Sequence, residues 1–129
     1  MDDAGLVAAA RAAAEGSYSP YSGYRVGAAV LGAEGEVFTG SNVENASYPV
    51  SSCAEATAVN TAVSHGVRKI DTVAVACIDA EDVEGAYPCG RCRQIMAEFG
   101  VDRVLVTAGE GSEVREHTLE ELLPHRFSL

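Results

Sequence analysis

The residues of this chain best suited to chemistry are its cysteines. Cys89-Gly90-Arg91-Cys92 is a C-x-x-C, and Cys53-Ala54-Glu55 adds a third thiol with a carboxylate two positions on. A thiolate is the form of cysteine that ligates metal, and it is favoured where unpaired backbone N–H groups and a helix dipole face the sulfur. Both groups stand at the start of a helical pattern. Two helix N-termini could therefore bring Cys53, Cys89 and Cys92 to one zinc ion, leaving the fourth tetrahedral position to water. Such an open site lowers the pKa of its bound water to about 7. Glu55 would stand beside that water without ligating the metal, where a carboxyl can carry a proton from water to a substrate nitrogen.

Other readings of the same residues leave something over. A redox dithiol accounts for Cys89 and Cys92 but not for Cys53-Ala54-Glu55. A closed four-cysteine site would need Cys77, which sits in Val73-Ala74-Val75-Ala76-Cys77-Ile78, where a small buried apolar residue is the ordinary choice and which reads as core. Glu55 alone would be a first-turn acid placed by the helix dipole; its position between a ligand and a helix gives it the second role. A noncatalytic zinc-binding module has no use for an acid there. His65, His117 and His125 are isolated, with no second ligand at metal spacing, and read as solvated.

The elements that must position these groups follow from the pattern. Leu6, Val7, Ala10 and Ala14 recur at helical spacing over residues 3–14, and Gly16 with Pro20 ends the run. Residues 26–31 and 35–39, joined by Gly32-Ala33-Glu34-Gly35, read as a hairpin. Residues 54–63 form a second helix closed by Gly66, residues 72–78 a buried strand, residues 91–99 a helix stopped by Gly100, and residues 103–107 another strand. Thr118 and Glu121 make a capping box before a short last helix that Pro124 halts. This order predicts helices on both faces of a shared sheet, an α/β fold built as a three-layer α/β/α sandwich with a mixed central sheet. There is no internal repeat or linker, so residues 1–129 read as one domain.

The chain has 129 residues, 47% hydrophobic and 22% charged, in the range of a globular protein with one core. Nineteen acidic against nine basic residues give a net charge of -10, without a basic cluster. Nucleic-acid binding draws on basic side chains that displace counterions from phosphates, so the balance argues against a polynucleotide partner and for a small neutral one. Asp2 and Asp3 precede the apolar run at residues 6–10, the wrong sign for a signal peptide, and no stretch approaches a membrane span. A cytoplasmic protein with reduced thiols is expected.

Cys53-Ala54-Glu55 followed by Pro88-Cys89-x-x-Cys92 resembles the zinc nucleoside deaminases. The resemblance to the small homotetrameric cytidine deaminases runs through Tyr18-Ser19-Pro20-Tyr21-Ser22, Val26-Gly27-Ala28-Ala29, Asn42-Val43-Glu44-Asn45-Ala46-Ser47-Tyr48, Pro88 to Gln94 and Leu122-Leu123-Pro124, nearly the whole chain. It implies one zinc ion per chain, deamination of a free pyrimidine nucleoside, and a homotetramer with shared active sites. It further implies that Asn42 and Glu44 hold the ribose hydroxyls, that the Ala54 N–H meets the base carbonyl, and that Tyr24 stacks near the base. Phe127 matches a C-terminal aromatic that reaches a neighbouring subunit's site. On the residues alone, Asn42 and Asn45 also suit a turn in which each bonds its own backbone. Relatives with three zinc thiolates commonly carry Arg after Cys-Ala-Glu; here that position is Ala56, and Arg91 is the candidate to offset the thiolate charge, its plainer reading being a solvent-facing knuckle residue. Pro88-Cys89-Gly90-Arg91-Cys92-Arg93-Gln94 also resembles the blasticidin S deaminases, which keeps an aminoglycosyl-pyrimidine substrate as the alternative.

Overall fold

In a computed structural model describing residues 1–129, the first helix, α1 (Asp3–Ala14), begins at Asp2, whose carboxylate accepts from the Gly5 N–H at 2.8 Å. It buries Leu6, Val7, Ala10 and Ala14, the four residues its periodicity marks. The hairpin follows as β1 (Val26–Gly32) and β2 (Val37–Ser41), then α2 (Ala54–Ser64), β3 (Ile70–Cys77), α3 (Gly90–Glu98) and β4 (Arg103–Ala108). The second strand of the hairpin starts two residues later than its sequence suggests, because the turn extends through Glu36.

A fifth strand, β5 (Val114–Thr118), precedes the short helix α4 (Leu119–Leu122) and corrects the predicted element order, which has no strand there. Its residues Val-Arg-Glu-His-Thr alternate between exposed and half-buried and none is buried, so it carries little of the apolar signal that marks a strand. It is an edge strand held by its ladder to β4, from Arg103–Thr118 to Thr107–Val114. The capping box at Thr118 and Glu121 forms as expected.

The sheet order is β2-β1-β3-β4-β5. Pairs β1/β2, β1/β3 and β4/β5 are antiparallel while β3/β4 is parallel, which makes the sheet mixed. Alternate residues of the central strands enter two separate cores. Ala28, Val30, Val73, Val75, Val104 and Val106 face α2 and α3, whereas Ala29, Ala74, Ala76 and Leu105 face α1. Three layers result, as the pattern predicts. Both cores use glycine to let helices lie close: a Cβ on Gly27 would stand 2.0 Å from the Ala10 carbonyl oxygen of α1, and one on Gly40 would stand 2.5 Å from the Ala58 nitrogen of α2. The second contact sets the distance of α2, whose first turn carries the chemistry, from the sheet. No helix is long and apolar enough to cross a membrane.

Candidate active site

Helices α2 and α3 start side by side at the ends of the central strands. Cys53 is the N-cap of α2, Cys89 is the N-cap of α3, and Cys92 lies in the first turn of α3. Their three sulfurs lie within 4.8 Å of one another, with Cys53 Sγ and Cys89 Sγ 3.9 Å apart. A tetrahedral ion with Zn–S bonds of about 2.3 Å needs sulfurs roughly 3.8 Å apart, so the donor set and its spacing fit zinc. Cys77, the fourth cysteine, is not among the three, which excludes the closed four-cysteine arrangement.

The three thiols share charge among themselves. Cys53 is pushed down to about 6, chiefly by the Cys92 thiol that donates to it, with Cys89 and the Arg91 guanidinium adding to the effect against burial. Cys92 is correspondingly pushed up, because it keeps the shared proton and has no exposed surface. Arg91 is exposed in the first turn of α3, and its guanidinium adds to the lowering at Cys53. Ala56, directly after Glu55, is fully buried.

Glu55 is the second residue of α2 and only 4% exposed. Burial pushes its carboxyl up to about 7, opposed by its own backbone N–H and by the Cys92 thiol and assisted by the charge on Cys53. A carboxyl poised near neutrality can both accept and return a proton, which an exposed first-turn acid cannot do as well.

These groups floor a cleft of about 230 Å³. Tyr24, Asn42, Cys53, Ala54, Glu55 and Cys89 line it together, so six of the residues singled out by sequence converge. Ala54, first in α2, presents one of the helix N–H groups that have no intrahelical acceptor. Tyr24 is held at the rim by its backbone, its N–H donating to the Ser22 hydroxyl at 3.0 Å and its carbonyl accepting from Asn42, while the neighbouring Arg25 pairs with Asp79 at 2.9 Å and keeps that carboxyl down to about 2. A larger hollow of about 630 Å³ between α1 and β5 contains no cysteine or histidine and is remote from this chemistry.

Asn42 is tied into the wall. Its Oδ1 accepts from the Val26 N–H at 3.0 Å and from the Ser17 hydroxyl at 2.5 Å, and its Nδ2 donates to the Tyr24 carbonyl at 2.8 Å. Glu44 lies outside the cleft and accepts from the Tyr21 and Ser22 N–H groups at 3.0 and 3.1 Å and from the Ser22 hydroxyl, which lowers its pKa. Phe127 is 67% exposed and stands away from the cleft, its carbonyl accepting from Gln94 at 3.2 Å.

Three features depart from the sequence reading. Cys77 is core, but it also lines the cleft, where burial raises its thiol pKa. Tyr87 lines the same cleft, although the sequence carries no signal that marks it. His117 is not solvated: its Nε2 meets the Tyr87 hydroxyl at 2.8 Å. His65 is exposed, as its isolation in the sequence suggests, with its ring beside Phe38 at a centroid distance of 5.0 Å.

An α/β/α sandwich that gathers three thiols at two helix starts beside a buried carboxylate has the architecture of a zinc deaminase. The chain belongs to that family: residues 1–108 match the cytidine and deoxycytidylate deaminase zinc-binding region. It is 44% identical to a cytidine deaminase of Sporosarcina psychrophila over 131 residues, covering 99% of this chain and 93% of the relative. A crystal structure of cytidine deaminase from Burkholderia pseudomallei superposes with a TM-score of 0.89 at 40% identity, covering 98% of this chain and all of that one. A blasticidin-S deaminase of Bacillus cereus is more distant, 33% identical over 110 residues, which is 81% of this chain and 78% of the relative.

Proposed function

We propose that the chain hydrolyses cytidine and deoxycytidine to uridine and deoxyuridine with release of ammonia. The observation that carries this reading is the buried Glu55 carboxyl, raised to about 7, beside three convergent thiols in a small cleft. Cys53, Cys89 and Cys92 would hold one zinc ion per chain, which when bound would supply Lewis-acid activation of water at neutral pH. Glu55 takes a proton from the attacking water and delivers it to N3 of the base as oxygen adds at C4. Glu55 then moves the second proton to the amino nitrogen, the C4–N bond breaks, ammonia leaves, and the oxygen remains as the product carbonyl. Arg91 offsets part of the thiolate charge by facing Cys53.

The remaining groups bind. The Ala54 N–H meets the base carbonyl and Tyr24 lies against the ring. Asn42 keeps one Nδ2 hydrogen, and Glu44 the rest of its acceptor capacity, for the ribose hydroxyls. Phe127 completes the site of a neighbouring subunit in a homotetramer, a reading supported by its exposure and by its absence from its own chain's cleft. The net charge of -10 favours the neutral nucleoside over its phosphate or a polynucleotide. A cytoplasmic setting suits four free cysteines in one 129-residue domain.

Deamination of blasticidin S is the second reading, favoured by the run Pro88 to Gln94 and by the Bacillus cereus relative. An absorbance assay against cytidine, deoxycytidine, cytosine, deoxycytidylate and blasticidin S separates them. Turnover of the two nucleosides with equimolar ammonia is expected. Preference for blasticidin S would establish the second reading, and no turnover of any by zinc-loaded protein would leave a noncatalytic zinc module.

A further inference from the structure

Strand β5 grips, at two points, the segment that walls the cleft. Its inward-facing residues are Arg115 and His117, two apart on one face of the strand. Arg115 forms an ion pair with Glu84, in the 3-10 turn Val83–Gly85, and His117 meets Tyr87. The gripped segment is the wall that supplies Gly85, Ala86 and Tyr87 to the cleft and continues through Pro88 into Cys89. The nucleoside deaminase reading assigns no task to Tyr87, Arg115 or His117.

The geometry at His117 is that of a support. The Tyr87 hydroxyl and His117 Nε2 are 2.8 Å apart, with the two rings tilted 57° and their centroids separated by 5.4 Å. On its other side His117 Nδ1 faces the Glu121 carboxylate at 3.4 Å, and that carboxylate is itself committed to the capping box of α4. A neutral imidazole with its hydrogen on Nδ1 satisfies both contacts, donating toward Glu121 and accepting from the phenol. The phenol's one hydrogen is then directed away from the cleft, and the ring is left to present its apolar surface to whatever the cleft holds.

We propose that β5 clamps the substrate cleft: His117, through the Tyr87 hydroxyl, fixes the ring that forms one wall of the base site, so that Tyr87 contacts substrate and His117 is a positioning residue. The inference rests on the nucleoside deaminase reading. A wall that touches the base equally in the ground state and the transition state contributes uniform binding, so loosening it raises KM and leaves kcat nearly unchanged.

The test uses zinc-loaded full-length protein and steady-state kinetics on cytidine. Tyr87→Phe keeps the ring and removes the hydroxyl, while His117→Leu removes the partner. Each should raise KM by about 2- to 10-fold, the range of one neutral hydrogen bond, with kcat changed by less than about 2-fold. Because both delete the same contact, the double variant should be no worse than the single ones. His117→Gln, whose amide can reach the phenol, should restore KM. Zinc content and melting temperature, measured on every variant, separate the wall from general stability. Unchanged KM in Tyr87→Phe, multiplied effects in the double variant, or a lowered melting temperature with normal KM would each overturn the clamp. Absence of cytidine turnover in the unmodified protein would instead overturn the reading of function; in that case the same variants are followed by the zinc-loaded protein's affinity for uridine, where a 2- to 10-fold weakening in both single variants supports the clamp and no weakening overturns it.

Discussion

In the proposed mechanism Glu55 and Arg91 would act on the same centre, one by lacking solvent and the other by supplying charge. Glu55→Gln keeps shape and hydrogen bonding but cannot move a proton, so kcat should fall by at least ~10² with zinc retained, checked by metal analysis beside kinetics. The same substitution has a consequence in metal-free protein. The folded carboxyl titrates near 7 against an ordinary 4.5, so between those values the native state holds a proton that the unfolded chain has released. The resulting stability is complete below about 4.5 and is lost as pH rises through about 7. Denaturant unfolding of the chelated protein should therefore show a decline across that window which Glu55→Gln flattens. Arg91→Ala removes the cation that faces Cys53. More electron density stays on sulfur, water becomes harder to ionise at the metal, and the acid limb of the activity profile should shift to higher pH, with zinc held roughly 10- to 100-fold less tightly. An unaltered pH profile and zinc affinity would show that the charge of the thiolates is balanced elsewhere.

Elements place these residues through close approach to the sheet, and the contact most exposed to test is α2 on β2 at Gly40. Gly40→Ala would set a methyl 2.5 Å from the Ala58 nitrogen, in backbone that cannot give way without moving the helix that begins with Cys53. The expected cost is about 1–3 kcal/mol of stability, with weakened zinc retention as α2 shifts; calorimetry and metal analysis read the two effects. Gly40, one residue past the strand read over residues 35–39, carried no signal in the sequence, because the crowding arises from Ala58, eighteen residues on. The same physics sorts what was legible. α1, α2 and α3 could be read because burial on one face repeats at helical spacing, and β3 because it is buried on both. β5 was invisible since its partly buried face consists of Arg115 and His117, whose inward direction depends on Glu84 and Tyr87 rather than on apolarity. In the site, Cys53, Glu55, Cys89 and Cys92 could be read because their spacing puts them at helix starts and because Cys-Ala-Glu with Pro-Cys-x-x-Cys resembles the zinc nucleoside deaminases. Tyr87 was not, because nothing in a single aromatic before Pro88 tells whether it faces solvent or a cleft.

Across the whole molecule, the unassigned surface is apolar and lies around the loops that precede α2. Tyr21, Tyr48 and Val50 are 51%, 73% and 65% exposed, and Tyr21 and Tyr48 already meet edge to face at 6.3 Å. Exposed aromatic groups of this kind mark association surfaces, which agrees with the proposed homotetramer. If Phe127 completes a neighbour's site, then the residues of one working centre come from different chains, and the defect of one chain can be repaired by another. Phe127→Ala protein should assemble and turn over cytidine with raised KM, whereas Glu55→Gln protein should be inactive. Refolding the two together, with zinc, creates centres in which Glu55 comes from the first chain and Phe127 from the second. Those centres are whole, so the mixture should contain a component with unmodified KM that neither parent shows, in proportion to the probability that unlike chains meet. Light scattering on the same samples reports the assembly. A mixture whose kinetics are the weighted sum of its parents, at full tetramer mass, would confine each active site to a single chain and leave Phe127 as surface.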